Sequence, residues 1–266
     1  MYRSSILSLA ALKKLLTDPN LVILDTTIDK VNQKIDDTNR KLIPNSLFFD
    51  IENDFSAHNT GLPHSLVDQE TFTTKAQQLG INKDSIIVLY DRWGVYSSPR
   101  AWWMFKYFGH KNTFVLNGGI YAWEENNLPL AKEHIKSDFT GNFTATIQPQ
   151  WLATKELILA ELNNTSTKII DVRAEGRFTG ETPEPRAGIR TGHIPAALNL
   201  PFAQVLAGSY MKEAADLKNQ LASYITANGL NIFSCGSGIT ACIVALAAHE
   251  AEVPAIAVYD GSWAEW

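Results

Sequence analysis

Apolar positions in this chain come in short runs bounded by polar or glycine residues: Val22–Leu24, Ile86–Tyr90, Thr113–Leu116, Ile169–Val172, Ile232–Ser234 and Ala255–Tyr259. Such runs predict buried strands. Between them, Phe72–Leu79, Arg100–Phe108, Thr154–Leu162, Ala214–Ala227 and Ile239–Glu250 carry a helical period. The stretch MYRSSILSLAALKKLL is interrupted by Lys13 and Lys14 and reads as an amphipathic helix rather than a signal peptide. Strands alternating with helices predict βα units and a largely parallel sheet.

The pattern is written twice. VILDTT around Asp25 matches IIDVRA around Asp171, 146 residues on. IIVLYDRWGVYSS matches LNIFSCGSGITAC with Asp91 against Cys235, an offset of 144, and LNGGIYAW matches YDGSWAEW at an offset of 143. LIPNSLFFDI likewise echoes HIPAALNLPF. Matches in order at nearly constant offset predict a duplication, with a period far too long for a solenoid. The expected domains are 1-130 and 151-266, joined by a polar linker at 131-150. The second copy ends on its YDGSWAEW and reads as just complete.

Composition narrows the function. The 266 residues carry 23 Lys+Arg against 28 Asp+Glu, a net charge of −5. No basic block is present, which argues against a nucleic-acid partner. No apolar run reaches the ~18 residues of a membrane span. The two cysteines, Cys235 and Cys242, supply neither a zinc site nor a disulfide scaffold, so a reducing, cytoplasmic setting is expected, with no metal and no organic cofactor.

The most informative segment is NIFSCGSGITACIVALAAHEA, residues 231–251. A strand runs into Cys235, then Gly236, Ser237 and Gly238, then a helix from about Ile239. Glycines after a strand let successive N–H groups turn inward as an anion-binding nest, and a helix N-terminus adds partial positive charge. That setting favours an anionic, nucleophilic sulfur. Gly236-Ser-Gly238-Ile-Thr-Ala241 also fits a dinucleotide fingerprint, with Asp260 24 residues beyond Gly236, but only six residues follow Asp260. A cysteine phosphatase is rejected: it needs an arginine six positions after the nucleophile, where Ala241 stands, and no arginine follows Arg190. Cys242, among Ile239, Ile243 and Val244, reads as packed core.

The loop Cys235-Gly236-Ser237-Gly238-Ile239-Thr240 resembles that of the rhodanese-like sulfurtransferases, in the version found in 3-mercaptopyruvate sulfurtransferases. Thiosulfate sulfurtransferases of the family carry Arg and Lys there instead. GRF, PEPR and GHIP, in DVRAEGRFTGETPEPRAGIRTGHIPAALNLPF at 171–202, are further family motifs. The resemblance covers nearly the whole chain. It implies an α/β fold of two tandem rhodanese-like domains, each a mostly parallel sheet flanked by helices. It implies a sulfurtransferase with Cys235 as persulfide carrier and a substrate site of Gly236, Gly238, Ile239 and Thr240. In this likeness Arg177 and Arg186 grip the donor, 3-mercaptopyruvate, which a planar guanidinium suits. Expected acceptors are a thiol, a thioredoxin-like protein or cyanide. A thiosulfate donor, or a carrier that binds sulfur without turnover, are the alternatives. Arg173 and Arg190 are expected in surface or interdomain ion pairs, Asp171 in hydrogen bonds to its loop, and His193 in organising a turn.

The first copy has Asp91 at the cysteine's place and is expected to be silent, closing the site from the opposite side with Arg92, Trp93 and Tyr96 near the cleft. Trp102 and Trp103 read as core. The resemblance further implies a serine–histidine–carboxylate relay: Ser237, His64 in LPHSL and Glu52 in FFDIE. Glu52 and His64 match the family spacing only with a one-residue insertion, which leaves Asp50, Asp54 and His58 as competitors.

Overall fold

The computed structural model describes residues 4–266, so the first three residues of the N-terminal amphipathic stretch lie outside the described residues. The chain forms two compact units, one of residues up to 57, 66–148 and 208–210, the other of residues 58–65, 149–207 and 211–266.

The first unit holds β1 (Ile6–Leu7), β2 (Leu21–Asp25), β3 (Leu47–Phe48), β4 (Ile86–Tyr90) and β5 (Thr113–Leu116) in the order β1-β5-β4-β2-β3. Every neighbouring pair is parallel. Its helices are α1 (Leu9–Leu15), α2 (Gln69–Gln78), α3 (Ser98–Tyr107) and α4 (Gly119–Glu125). The amphipathic reading holds over α1, where Ser8 caps the first turn and Leu12 and Leu15 turn inward. Leu7, Leu12, Ile23, Val88, Phe114 and Trp123 form one apolar cluster. Phe49, Phe55, Phe72, Phe105 and Phe108 form an aromatic one, with Phe49 on Phe55 at 3.7 Å and Phe72 on Phe108 at 4.0 Å between ring centres. Trp102 and Trp103 are fully buried. The stretch expected as a linker does not run free: it is grouped with the first unit through Gln148, pairs Ala131 with Leu42 and buries Phe143 and Ala145. Those apolar residues favour packing over solvation.

The second unit repeats the plan. After β6 (Leu152–Ala153) come β7 (Lys168–Asp171), β8 (Leu198–Asn199), the short two-stranded sheet of β9 (Leu206–Ala207) and β10 (Tyr210–Met211), then β11 (Asn231–Ser234) and β12 (Ile256–Tyr259). The main sheet runs β6-β12-β11-β7-β8, all parallel, the same order copy for copy. Its helices are α5 (Lys155–Glu161), α6 (Glu175–Thr179), α7 (Ala214–Leu221), α8 (Ala241–Glu250) and α9 (Ser262–Glu265). Helix α7 stops at Leu221 rather than near Ala227, and α8 starts two residues later than its apolar period, leaving Ile239 and Thr240 in the loop. In register, Ser234 pairs Asp171, so Cys235 leaves the carboxyl end of β11 beside the end of β7. Loops at that edge of a parallel sheet are where ligands bind in open α/β folds.

Candidate active site

Cys235 follows the last residue of β11 and is 2% exposed. The loop curls because Gly238 takes φ +80°, a conformation open to glycine at little cost. Ser262, at the start of α9, pins it from below. Its hydroxyl oxygen accepts from the N–H groups of Cys235 (3.2 Å) and Gly238 (3.1 Å), donates to the Tyr259 carbonyl (2.8 Å), and lies 3.9 Å from Cys235 Sγ. Two α9 N–H groups close the other side, Trp263 to the Cys235 carbonyl (2.9 Å) and Ala264 to that of Gly236 (3.1 Å). Cys242 is fully buried and directs Sγ to the Gly238 carbonyl (3.2 Å).

Ser237 is the hub of the polar side. Arg186 Nη1 donates to its hydroxyl oxygen at 3.1 Å, and His64 Nδ1 stands 3.2 Å from the same atom. Because a guanidinium only donates, the Ser237 hydroxyl oxygen accepts from Arg186; its bond with His64 runs in the direction the ring tautomer sets, the hydroxyl donating when the ring proton is on Nε2. His64 belongs to the second unit through residues 58–65 and holds φ at 59°. A non-glycine residue in that region is uncommon. Glu52 is exposed and grouped with the first unit, its N–H donating to Asp50 Oδ1. Of the relay's competitors, Asp50 binds the Asn53 side chain (2.8 Å), Asp54 pairs with Lys75 (2.6 Å), and His58 is exposed.

Arg177, on α6, lies against the loop: a Cβ on Gly236 would stand 2.9 Å from its Nη2. Its Nε and Nη2 both donate to Glu184, at 3.0 and 2.5 Å. Glu184 also receives Arg173 Nη1 at 2.8 Å, and Arg173 donates to both Asp171 oxygens and to the Gly192 carbonyl. The Glu184 carboxyl is held below the usual range: burial opposes its charge, and Arg177 and Arg173 outweigh that. Arg173 is therefore ion-paired, but in the interior and stacked on Trp263 (4.8 Å) rather than at the surface. Arg190 donates to the main-chain oxygen of Trp266 at 2.6 Å and lies over the Trp263 ring at 5.4 Å. His193 stacks on Phe178 and bonds its carbonyl (2.8 Å), holding a turn.

Glu184 and Ser262 were missed by reading the sequence. Glu184 sits between two prolines in PEPR, a polar loop setting with no local sign of its arginine partners. Ser262 stands where the first copy has Gly119, and both have φ near +50°. A Cβ on Gly119 would lie 2.4 Å from the Asp91 and Gly94 carbonyls, so the first copy requires glycine there.

The first copy shows what this loop is built to hold. Asp91 Oδ2 accepts from the N–H groups of Tyr96 (2.8 Å), Ser97 (3.0 Å) and Ser98 (2.9 Å), and Oδ1 from Trp93 (2.9 Å). The loop is an anion nest filled by its own carboxylate. Arg92 pairs with Asp37 (2.6 Å), Trp93 donates its indole N–H to the Ile28 carbonyl, and Lys30 lies over the Trp93 and Tyr96 rings. Among the described residues, no cluster of three or more His, Cys, Asp or Glu is arranged for a metal, and no helix is long and apolar enough to cross a membrane.

A family model for the rhodanese-like domain matches residues 8–126 and again 154–266. The 3-mercaptopyruvate sulfurtransferase of Escherichia coli (strain K12) is 36% identical, over 94% of this chain and 90% of its own. That of Rattus norvegicus is 38% identical, over 84% and 76%. The crystal structure of the Tum1 protein from Saccharomyces cerevisiae superposes with a TM-score of 0.90 at 29% identity, covering 100% of this chain and 95% of that one. The chain, two mostly parallel rhodanese sheets flanked by helices, belongs to the rhodanese-like sulfurtransferases and is an enzyme of sulfur transfer.

Proposed function

We propose that the second unit takes a sulfur atom from 3-mercaptopyruvate onto Cys235 as a persulfide, releases pyruvate, and passes the sulfur to an acceptor thiol, a thioredoxin-like protein or cyanide. The observation that carries this reading is Ser237, bonded to both Arg186 and His64 within the loop of the buried Cys235. In this reading Arg186 and Arg177 meet the donor's carboxylate and keto oxygens over a floor of Gly236, Gly238, Ile239 and Thr240, supported by the Arg186–Ser237 bond and the approach of Arg177 to Gly236.

The Cys235 thiolate attacks the donor sulfur, and an S–S bond forms as the donor C–S bond breaks. The bonding pair leaves on carbon as the enolate of pyruvate, which then takes a proton. Ser237 and His64 are the groups in reach to move the donor thiol's proton. Glu52 is the acid we assign to His64, in keeping with the family likeness. By the match with Asp91, the N–H groups of Ser237, Thr240 and Ala241 are the ones that stabilise the anionic outer sulfur; that of Cys242 is taken by the Ile239 carbonyl at 3.2 Å. Acceptor thiolate then attacks that sulfur and returns Cys235 as thiolate. A reducing, cytoplasmic setting fits this chemistry, and neither cysteine is in a disulfide.

A thiosulfate donor is disfavoured by side chains: Gly236–Thr240 offers no cation to a dianion. The test is pyruvate release and mass. Wild type should release pyruvate from mercaptopyruvate, gain one sulfur on Cys235, and prefer this donor to thiosulfate in kcat/KM; Cys235→Ser should do neither. Pyruvate release by Cys235→Ser overturns the nucleophile, faster thiosulfate turnover overturns the donor, and a stable adduct without turnover points to the carrier.

A further inference from the structure

We propose that Glu184 sets donor specificity by neutralising Arg177, so that the site presents one uncompensated positive charge and selects a monoanionic donor over a dianionic one. This rests on the reading of Cys235 and the arginines given above. Three guanidiniums, Arg173, Arg177 and Arg186, gather at the carboxyl edge of β7 and β11, and two carboxylates, Asp171 and Glu184, face them. Arg173 is bound by both carboxylates. Arg177 is bound through two of its nitrogens to Glu184 alone. Arg186 has no carboxylate partner among the described residues and donates instead to Ser237.

Glu184 is built in rather than incidental. Its side chain is 3% exposed, whereas that of Arg177 is 26% exposed. The buried acid is the fixed member and Arg177 the partly exposed one. A fork of two N–H donors on one carboxylate also fixes the guanidinium plane, and hence where the remaining donors point. A charge deep in a site acts strongly on an incoming ion, because little water screens it. The acid therefore holds Arg177 in place against Gly236 while cancelling its net attraction for a second negative charge. A monocarboxylate is served by Arg186 and by the oriented N–H groups of Arg177; thiosulfate brings a second charge that nothing balances.

Glu184→Gln tests this, with mercaptopyruvate and thiosulfate as the two donors. The amide keeps the shape and frees one positive charge. The ratio of kcat/KM for thiosulfate to that for mercaptopyruvate should rise by about tenfold or more, mainly through the thiosulfate KM, and its salt dependence should steepen. Glu184→Asp, which keeps the charge but draws back the fork, should lose rate on both donors with the ratio unchanged. An unchanged ratio in Glu184→Gln, or equal shifts in both variants, overturns the proposal. Should Glu184→Gln not fold, competition in the wild type decides: pyruvate must inhibit mercaptopyruvate turnover more strongly than sulfate does, and the reverse order overturns the proposal. A wild type that turns over thiosulfate but not mercaptopyruvate would instead sink the donor reading on which this rests.

Discussion

Ser262 holds a left-handed backbone at φ 51°, where its counterpart Gly119 is free of the cost. Such strain in a non-glycine residue persists where the surroundings repay it. The repayment here is the hydroxyl, which satisfies two N–H groups of the cysteine loop. Ser262→Ala should leave both without an acceptor, lowering stability by about 1–3 kcal/mol and slowing sulfur transfer. Ser262→Gly should be more stable than the alanine variant by about 1–2 kcal/mol, since it relieves the left-handed strain, yet be equally slow. Thermal melts and turnover of the two variants check this; a glycine variant with full activity would show the hydroxyl to be dispensable. Much of the site was legible one residue at a time, because Cys235 and its glycines have few other reasons to follow a strand. Glu184 and Ser262 were not, since an acid in a polar loop and a serine after glycine look like ordinary surface until their partners are known.

Short elements are held by side chains that bridge them. His110, in the turn between α3 and β5, bonds Thr113 Oγ1 through Nδ1 (2.9 Å), meets the Asn82 carbonyl through Nε2 (3.4 Å), and packs edge-on to Phe105 and Phe143. Burial lowers its pKa to about 4, because the ring cannot be charged there without losing water. In the unfolded chain it titrates near 6.5. Between those values the unfolded state binds the extra proton, so this stability is fully present above about pH 6.5 and is lost as pH falls toward 4. The loss amounts to at most about 3 kcal/mol. The melting temperature should fall over that window, and His110→Gln should flatten the fall; an equally steep curve in the variant would assign the acid sensitivity elsewhere. Periodicity found the long strands and helices but not α6, whose five residues carry Arg177. One helical turn is too short to show a period of 3.6.

At the scale of the molecule, the two copies share a sheet order and divide over one position. Asp91 fills its loop with its own carboxylate, accepting four N–H bonds and the Ser98 hydroxyl (2.7 Å). A cysteine there would leave those donors poorly satisfied. Asp91→Cys should therefore destabilise the protein by ~2–4 kcal/mol and, combined with Cys235→Ser, restore no pyruvate release. Recovery of turnover in the double variant would show that a cysteine in this loop suffices without Arg177 and Arg186.

The sequence by itself determined the alternation of strands and helices, the duplication, and which copy holds the loop cysteine. Those depend on periodicity and residue type, which are local. Tertiary structure alone decided that Arg177 is neutralised by Glu184 and Arg186 is not, that His64 meets Ser237 across 173 positions of chain, and that Ser262 anchors the loop. A charge acts over a few ångströms of space whatever the chain between, and only the fold sets that distance.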